Sequence, residues 1–150
     1  MNARERIELT VPIDGESGIV NARSKARSIA RELGFGIVDQ SRIATAVSEL
    51  TRNIVRYASD SRGEVVIREV VGPADQPGVE IIVSDDGPGI ADVALAMRDG
   101  VSSSTGLGLG LPGARRLMDE MKIESGAGRG TIVTIRKWLR PRATQIPLHG

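Results

Sequence analysis

Apolar and polar positions repeat with two different periods in the first part of the chain. Between Arg6 and Ile13 every second residue is apolar, which is the period of a strand with one buried face. From Ile19 to Leu33, and again from Asp39 to Ala58, apolar residues recur every three or four positions, as in an amphipathic helix. Gly34 is expected to end the first helix and Asp39 to cap the start of the second. The pattern therefore predicts a strand followed by two helices.

The remainder of the chain predicts further strands and helices. The strands are expected over 64–71, 79–84, 122–125 and 131–139, a short helical segment over 91–97, and a long helix over 111–121. Because helices and strands come in pairs and do not alternate strictly, the order favours an α+β two-layer sandwich with helices on one face of a mixed sheet. After Pro141 the chain has no periodic pattern, so we expect one domain over 1–140 and a disordered tail over 141–150.

Composition and charge limit the class of protein. A chain of 150 residues suits one domain, and no apolar run approaches the ~20 residues that a membrane span needs. The absence of cysteine excludes disulfides, thiol catalysis and thiolate metal sites. The N-terminal residues lack the apolar run of a secretory signal, so a cytoplasmic protein is expected. A net charge of +1 and a single Phe, Tyr and Trp provide neither a basic field nor a stacking surface, so nucleic acid and membranes are not expected partners.

Two glycine-rich turns stand on either side of a segment rich in serine and threonine. The first, Asp85–Gly89, follows a predicted strand, and the second, Gly106–Gly113, leads into the predicted helix over 111–121. Glycine lets the backbone approach a ligand closely, and amides freed at such turns donate hydrogen bonds to phosphate. The pattern indicates a nucleotide pocket with a lid that contains Ser102–Thr105, although these four residues taken alone also fit a flexible linker.

The common phosphate-binding motifs do not account for these glycines. No lysine follows a glycine, so the P-loop pattern is absent, and the chain has neither the His-Arg-Asp nor the Asp-Phe-Gly of protein kinases. Gly108–Gly113 matches the dinucleotide pattern Gly-x-Gly-x-x-Gly, but no strand directly precedes it and the residues after it are too few for an α/β half. A dinucleotide site is therefore disfavoured.

The two predicted helices near the N-terminus each carry a polar face that has two interpretations. Glu49 and Asn53 are four residues apart on one face of the second helix, and Arg56 follows three residues later. A carboxylate can activate a hydroxyl, a carboxamide oxygen can hold a magnesium ion, and a guanidinium can bind a phosphate. The alternative is a solvated surface with polar pairs. The basic face of the first helix, which includes Arg23 and Arg27, fits either a solvated surface or a docking surface for a partner.

Four segments together resemble the GHKL superfamily, the ATP-binding fold shared by gyrase and histidine kinases. Residues 49–57 resemble its N box, residues 85–90 its G1 box, residues 106–111 its G2 box, and residues 128–131 its last glycine-threonine element. Within the superfamily, residues 6–140 resemble the small anti-sigma-type serine/threonine protein kinases of the stressosome switch. The resemblance implies the GHKL, or Bergerat, sandwich, in which ATP lies between helices packed on the sheet and a mobile lid.

The resemblance also implies a role for each matching residue. Glu49 would be the general base that draws the proton from a serine or threonine hydroxyl, and Asn53 would hold Mg²⁺ against the phosphates of ATP. Asp85 would accept a hydrogen bond from the adenine amino group, and Thr131 would support the same end of the nucleotide. The other residues implied in ATP binding are Arg56, Gly87, Gly89, Gly106, Gly108, Gly110 and Leu111, with Ser104 and Thr105 in place of a lid arginine.

The function implied by the resemblance is that of an ATP-dependent serine/threonine kinase in a partner-switching stress module. Its substrates would be STAS-domain proteins of a stressosome-type scaffold, and the released kinase would bind and activate a PP2C-type phosphatase. The alternatives are an anti-sigma factor and a non-catalytic, nucleotide-gated binding module. A histidine kinase is disfavoured because a dimerising helical segment with its phosphoacceptor is missing and the single histidine is His149.

Overall fold

The computed structural model describes residues 6–57, 62–87, 110–126 and 130–140. The predicted short helix, the predicted lid and the predicted tail lie outside these ranges. Within them no helix is both long enough and apolar enough to cross a bilayer. In chain order the described elements are β1 (Glu8–Ile13), α1 (Glu16–Leu33), α2 (Ile37–Tyr57), β2 (Gly63–Val71), β3 (Pro77–Asp85), α3 (Leu111–Leu117), β4 (Glu120–Ser125) and β5 (Thr131–Trp138).

The five described strands form one sheet in the order β1-β2-β3-β5-β4, and every neighbouring pair is antiparallel. Strands β3 and β4 run in the same direction, but β5 lies between them, so these strands contain no parallel pair. The sheet is therefore antiparallel, whereas the sequence predicted a mixed sheet. The difference arises because the chain passes over one strand position between β3 and β4, and β5 then fills that position. The predicted α+β sandwich is confirmed.

One face of the sheet is apolar and carries the helices. Alternate residues along the strands are buried on this face, for example Val65 and Ile67 in β2 and Ile81 and Val83 in β3. Inward-facing residues of α1 and α2 complete the same core. Removal of these apolar rows from water is the dominant favourable contribution to folding. At one end of the sheet the rows finish in polar residues, and these belong to the candidate site.

Helix α2 starts earlier than the sequence predicted. It begins at Ile37, so Asp39 lies in its first turn and not at the N-cap position. The N–H of Gln40 already donates to the carbonyl of Gly36 at 2.9 Å, which places the first helical hydrogen bond ahead of Asp39. The Asp39 carboxylate instead accepts a hydrogen bond from Arg42 at 3.0 Å.

Helix α3 is shorter than the predicted helix over 111–121. It ends at Leu117, and Met118 takes an extended conformation with φ −114° and ψ 165°. Asp119 makes two hydrogen bonds with β5, one through its N–H at 2.9 Å and one through its carboxylate at 2.8 Å. These contacts draw the chain into the sheet, so Met121, which fits the helical spacing, lies in β4.

Candidate functional site

The carboxylate of Glu49 lies where helix α2 meets the start of α3. Its Oε1 accepts a hydrogen bond from Nη1 of Arg52 at 3.3 Å. Its Oε2 faces Gly110, where an added Cβ atom would lie 2.5 Å from that oxygen. Gly110 has φ +69°, in the left-handed region that favours glycine. Two segments far apart in sequence, the N-box-like segment and the end of the G2-box-like segment, therefore meet at Glu49.

Asn53 lies one turn after Glu49 on α2, and its side chain is half-buried. The next residue, Ile54, packs over the first residue of β2, since its Cδ1 lies 2.5 Å from where a Cβ on Gly63 would be. This contact sets the last turns of α2 over one end of the sheet. Arg56 also belongs to these turns, and its side chain is outside the part of the molecule that the structure describes.

Asp85 is the last residue of β3 and continues the buried row that ends in Val83, on the side of the helices. Its cross-strand partners are Gly63 in β2 and Thr131 in β5. Because Ile54 packs over Gly63, this pairing brings Asp85 beneath the last turns of α2. Asp85, the residue expected to bind adenine, and the helix that carries Glu49 thus lie at the same end of the sheet.

The Asp85 carboxylate is partly withdrawn from water. Burial raises the pKa of this carboxyl, and the nearby charge of Asp86 acts in the same direction. The N–H of Gly87 donates to its Oδ1 at 2.9 Å, which lowers the pKa, but burial has the larger effect. A carboxylate in such surroundings gains more from a ligand's hydrogen-bond donor than an exposed carboxylate does. The geometry suits recognition of an amino group such as that of adenine.

Thr131 and Ser125 form a pair of hydroxyl groups beside Asp85. Thr131 is 9% exposed, and its Oγ1 lies 2.8 Å from Oγ of Ser125, which also donates to the carbonyl of Gly130 at 2.9 Å. Gly130 has φ +75°, and an added Cβ there would overlap the carbonyl oxygen of Asp85. The start of β5 therefore approaches the end of β3 closely, and this approach places Thr131 next to Asp85.

The structure brings the described members of the predicted site together in two groups. Glu49, Asn53 and Gly110 form one group at the junction of α2 and α3, and Asp85, Gly87 and Thr131 form the other at the end of the sheet. Leu111 is 1% exposed and its side chain belongs to the core, so its main chain alone is available to a nucleotide. Outside the described residues lie Gly89, Ser104, Thr105, Gly106 and Gly108.

Sequence analysis missed two residues that complete these groups. Arg52 follows Glu49 by three positions and pairs with its carboxylate, and the helical spacing of the two residues was a signal for this contact. Ser125 lies opposite Thr131 in the pairing of β4 with β5. No local pattern reveals the second contact, because it depends on the register between two strands.

The candidate metal ligand among the described residues is the carboxamide of Asn53. In the ranges that the structure describes, no three acidic or histidine side chains cluster as a possible metal site. Magnesium is commonly bound through one or two protein groups together with phosphate oxygens and water. The carboxamide oxygen of Asn53, on the same helix face as Glu49, fits that kind of site.

Comparisons with known proteins identify the family. Residues 16–137 match the family described as "Histidine kinase-like ATPase domain". The chain is 52% identical over 130 residues to "Serine/threonine-protein kinase RsbT" of Bacillus subtilis (strain 168), a match that covers 87% of this chain and 96% of that protein. It is 32% identical over 122 residues to "Anti-sigma F factor" of Caldanaerobacter subterraneus subsp. tengcongensis, covering 79% of this chain and 83% of that protein.

A solved structure is also similar, at a lower level. The histidine kinase domain of the blue-light activated histidine kinase EL346 from Erythrobacter litoralis aligns with a TM-score of 0.49 and 24% identity over 81% of this chain. The chain spans 59% of that solved chain.

The family match over residues 16–137 includes both groups of candidate site residues, and it confirms the resemblance carried by the four sequence segments. The chain belongs to the histidine kinase-like ATPase family and, within it, to the RsbT-type serine/threonine protein kinases.

Proposed function

We propose that this protein transfers the γ-phosphoryl group of ATP to a serine or threonine hydroxyl of a partner protein. The observation that carries the proposal is the contact between Glu49 and Gly110. It holds a carboxylate at the start of α3, where the family resemblance puts the phosphates of ATP. Binding of ATP alone does not require a carboxylate at this position. Transfer of a phosphoryl group to a hydroxyl benefits from a positioned base.

Asp85 recognises the adenine base in this proposal. Its carboxylate accepts a hydrogen bond from the 6-amino group of adenine, while guanine carries an oxygen acceptor at the corresponding position. Gly87 holds the carboxylate through its N–H, and the hydroxyl pair of Ser125 and Thr131 lies beside the same position. The selectivity for adenine follows from the mismatch between a carboxylate and the guanine oxygen.

Glu49 acts on the hydroxyl of the protein substrate. One of its oxygens takes the hydroxyl proton as the hydroxyl oxygen attacks the γ-phosphorus, and ADP leaves with the bridging oxygen. Arg52 orients the carboxylate through the contact to Oε1. The carboxamide of Asn53 would hold Mg²⁺, which would help to neutralise the negative charge of the phosphates during transfer.

The proposed partners follow from the resemblance to switch kinases. The substrates are STAS-domain proteins of a stressosome-type scaffold in the cytoplasm, and phosphorylation releases the kinase. The released kinase then activates a PP2C-type phosphatase. The similarity to RsbT over most of both chains supports this assignment over the anti-sigma alternative.

Phosphotransfer in the Glu49→Gln variant tests the proposed catalytic role. Native protein, Glu49→Gln and the exposed control Glu32→Gln are each mixed with labelled ATP and candidate STAS-domain proteins, and the labelled residue is mapped by mass spectrometry. Loss of a general base is expected to lower the transfer rate about 100-fold to 10,000-fold, with ATP affinity retained. Transfer at the native rate by Glu49→Gln would remove Glu49 from the mechanism.

The similarity to Anti-sigma F factor supports a second candidate, a nucleotide-gated protein that acts by sequestering a partner. The same experiment separates the two. If partner complexes form but every candidate STAS-domain protein stays unlabelled, sequestration is the better description. If label appears on a serine or threonine, the kinase is the better description.

A further inference from the structure

Three polar side chains lie in one row across the end of the sheet that carries the proposed adenine site. Asp85 in β3 is the cross-strand partner of Thr131 in β5, and Thr131 is in turn the partner of Ser125 in β4. Directly paired residues of an antiparallel sheet point to the same face, with their Cβ atoms about 4.5–5.5 Å apart. Thr131 therefore has a carboxylate on one side and a hydroxyl on the other, and all three groups lie on the face that carries the helices.

The hydrogen bonds in this row determine where the hydroxyl protons point. Oγ of Ser125 lies 2.9 Å from the carbonyl oxygen of Gly130 and 2.8 Å from Oγ1 of Thr131. A carbonyl oxygen can only accept, and a serine hydroxyl has one proton to donate. The Ser125 proton therefore points to Gly130, and Thr131 makes the other contact by donating its own proton to Ser125.

Thr131 consequently offers a ligand its lone pairs and not its proton. The Thr131 proton is engaged by Ser125, whereas a hydroxyl oxygen that donates can still accept. In the ranges that the structure describes, the Asp85 carboxylate accepts from the N–H of Gly87 and makes no hydrogen bond with Thr131. Two acceptors thus lie side by side, and a ligand group that binds both of them must donate twice.

The exocyclic amino group of adenine is a donor of this kind, because it carries two N–H bonds. Guanine and hypoxanthine have an oxygen at the same position, and an oxygen that faces two acceptors is left without a partner. A carboxylate alone discriminates less well, because both of these bases also carry an N–H at the neighbouring ring position N1. A small shift of the base would bring that N–H to Asp85, but the oxygen would then face Thr131. The second acceptor therefore strengthens the selectivity for adenine.

We propose that Ser125 is a positioning residue for adenine selectivity. It accepts the proton of Thr131 and thereby makes Thr131 a second acceptor, beside Asp85, for the amino group of adenine. The inference rests on the proposed ATP site and adds to it a residue that acts through Thr131. The register between β4 and β5 provides the contact, because it sets the two hydroxyl groups opposite each other.

Equilibrium binding of magnesium-ATP and magnesium-ITP tests this role. The base of ITP is hypoxanthine, which differs from adenine in the oxygen at C6 and the proton at N1. Titration calorimetry gives the dissociation constant of each nucleotide for native protein, Ser125→Ala and Ser125→Thr, which keeps the hydroxyl. Ser84→Ala is the matched control, because Ser84 directly precedes Asp85 in β3 and its side chain lies on the opposite face of the sheet.

Ser125→Ala releases the Thr131 proton, which can then turn toward the oxygen of hypoxanthine. We expect the affinity ratio of ATP to ITP to fall about tenfold in this variant, as for one hydrogen bond. In Ser125→Thr and Ser84→Ala the ratio should stay within about twofold of the native value. Thermal unfolding of each variant shows that the fold is intact. An unchanged ratio in Ser125→Ala would overturn the proposal, as would an equal fall in Ser84→Ala.

A double-mutant cycle shows whether Ser125 acts through Thr131. In a Thr131→Val background the hydroxyl whose proton Ser125 accepts is absent, so Ser125→Ala should change the ratio of ATP to ITP affinity less than about twofold. A merely structural role of Ser125 would have the same effect with and without the Thr131 hydroxyl. A fall of about tenfold in both backgrounds would therefore contradict the proposal.

The outcomes separate this inference from the kinase function. If native protein binds ATP and transfers phosphate but Ser125→Ala keeps the native ratio, the role of Ser125 is wrong and the kinase proposal stands. If Ser125→Ala lowers the ratio as expected but no partner protein is ever labelled, the role of Ser125 stands and the kinase proposal fails. If native protein binds neither nucleotide, both proposals fail.

Discussion

At the scale of single residues, the position of the Glu49 carboxylate depends on two neighbours of different origin. Arg52 belongs to the same helix and contacts one oxygen, and Gly110 comes from a distant part of the chain and faces the other. The first contact restricts rotation of the side chain, and the second allows the two helices to approach. In the proposed mechanism both contacts would hold the base at a defined place, because a small displacement of a catalytic group lowers the rate strongly.

Replacement of Gly110 by alanine is expected to affect stability and catalysis together. The positive φ would cost about 1–2 kcal/mol of the free energy of unfolding, and the new methyl group would displace Glu49. Phosphotransfer should fall about 10-fold to 100-fold. The control is Gly113→Ala in the same helix, where an added Cβ meets nothing within 4 Å and a gain of about 0.4–1 kcal/mol is expected. Urea unfolding and a transfer assay measure both variants, and similar losses in the two would refute the role of the contact.

The raised pKa of Asp85 leads to a prediction about pH. Because burial raises this pKa, the folded protein binds the proton more tightly than the unfolded chain does, and stability from this group falls as pH rises above the unfolded value of about 3.9. Asp85→Asn should therefore increase the free energy of unfolding of the nucleotide-free protein at pH 7, and the increase should shrink toward pH 4. Urea titrations at several pH values, with Asp14→Asn at an exposed turn as control, check this. A constant difference across this pH range would contradict the assignment.

At the scale of elements, a row of alternating charges crosses the sheet on the face away from the helices. Each strand contributes one residue, in the order Glu8, Arg68, Glu80, Arg136 and Glu120. Glu80 is central and 3% exposed, and it contacts Arg68 at 2.5 Å and Arg136 at 2.6 Å. The hydrogen bonds that Arg136 donates, chiefly to Glu80 and then to Glu120, raise the pKa of its guanidinium. The row joins all five strands in one register.

The variant Glu80→Gln measures how much this row stabilises the sheet. Its neutral side chain keeps the size of glutamate but removes the charge between two arginines that are each about two-fifths exposed. Because water screens those arginines, we expect a loss of about 1–3 kcal/mol in the free energy of unfolding and not the full cost of a buried ion pair. Glu8→Gln at the edge of the row should change stability by less than about 0.5 kcal/mol. Equal effects of the two variants in urea unfolding would show that the central position has no special importance.

At the scale of the whole molecule, the proposed ATP site joins elements from most of the chain. Helix α2 supplies Glu49 and Asn53, strand β3 supplies Asp85, and strand β5 supplies Thr131. A ligand that contacts all of these binds the folded state and not the unfolded chain. Nucleotide binding should therefore appear as a change in global stability.

Magnesium-ATP at about 100 times its dissociation constant should raise the free energy of unfolding by about 2.7 kcal/mol. GTP at the same concentration should raise it much less, because guanine offers an acceptor to the Asp85 carboxylate. Thermal unfolding with each nucleotide measures the shift, and Asp85→Asn should lose most of the ATP effect. Equal stabilisation by ATP and GTP would contradict the proposed role of Asp85.

Local patterns in the sequence were sufficient for the order of strands and helices, and the family resemblance supplied the candidate site residues other than Arg52 and Ser125. The periods of two and of three to four predicted every described strand and helix, and Gly34 ends α1 as expected. The predictions failed at boundaries that distant contacts determine. Asp39 lies inside α2, and α3 stops early because Asp119 bonds to β5. Such contacts leave no periodic signal near the residue that they affect.

The sequence by itself determined the α+β class and the family, and it singled out Glu49, Asn53 and Asp85 as candidate site residues. These conclusions depend on residue types at short spacings. Strand order and register were decided only in the tertiary structure, and they place Asp85 opposite Thr131 and pair every neighbouring strand antiparallel. Packing between helices also decided that Glu49 faces Gly110. Both kinds of contact join residues distant along the chain, and their geometry is set by the burial of whole apolar faces and not by any local pattern.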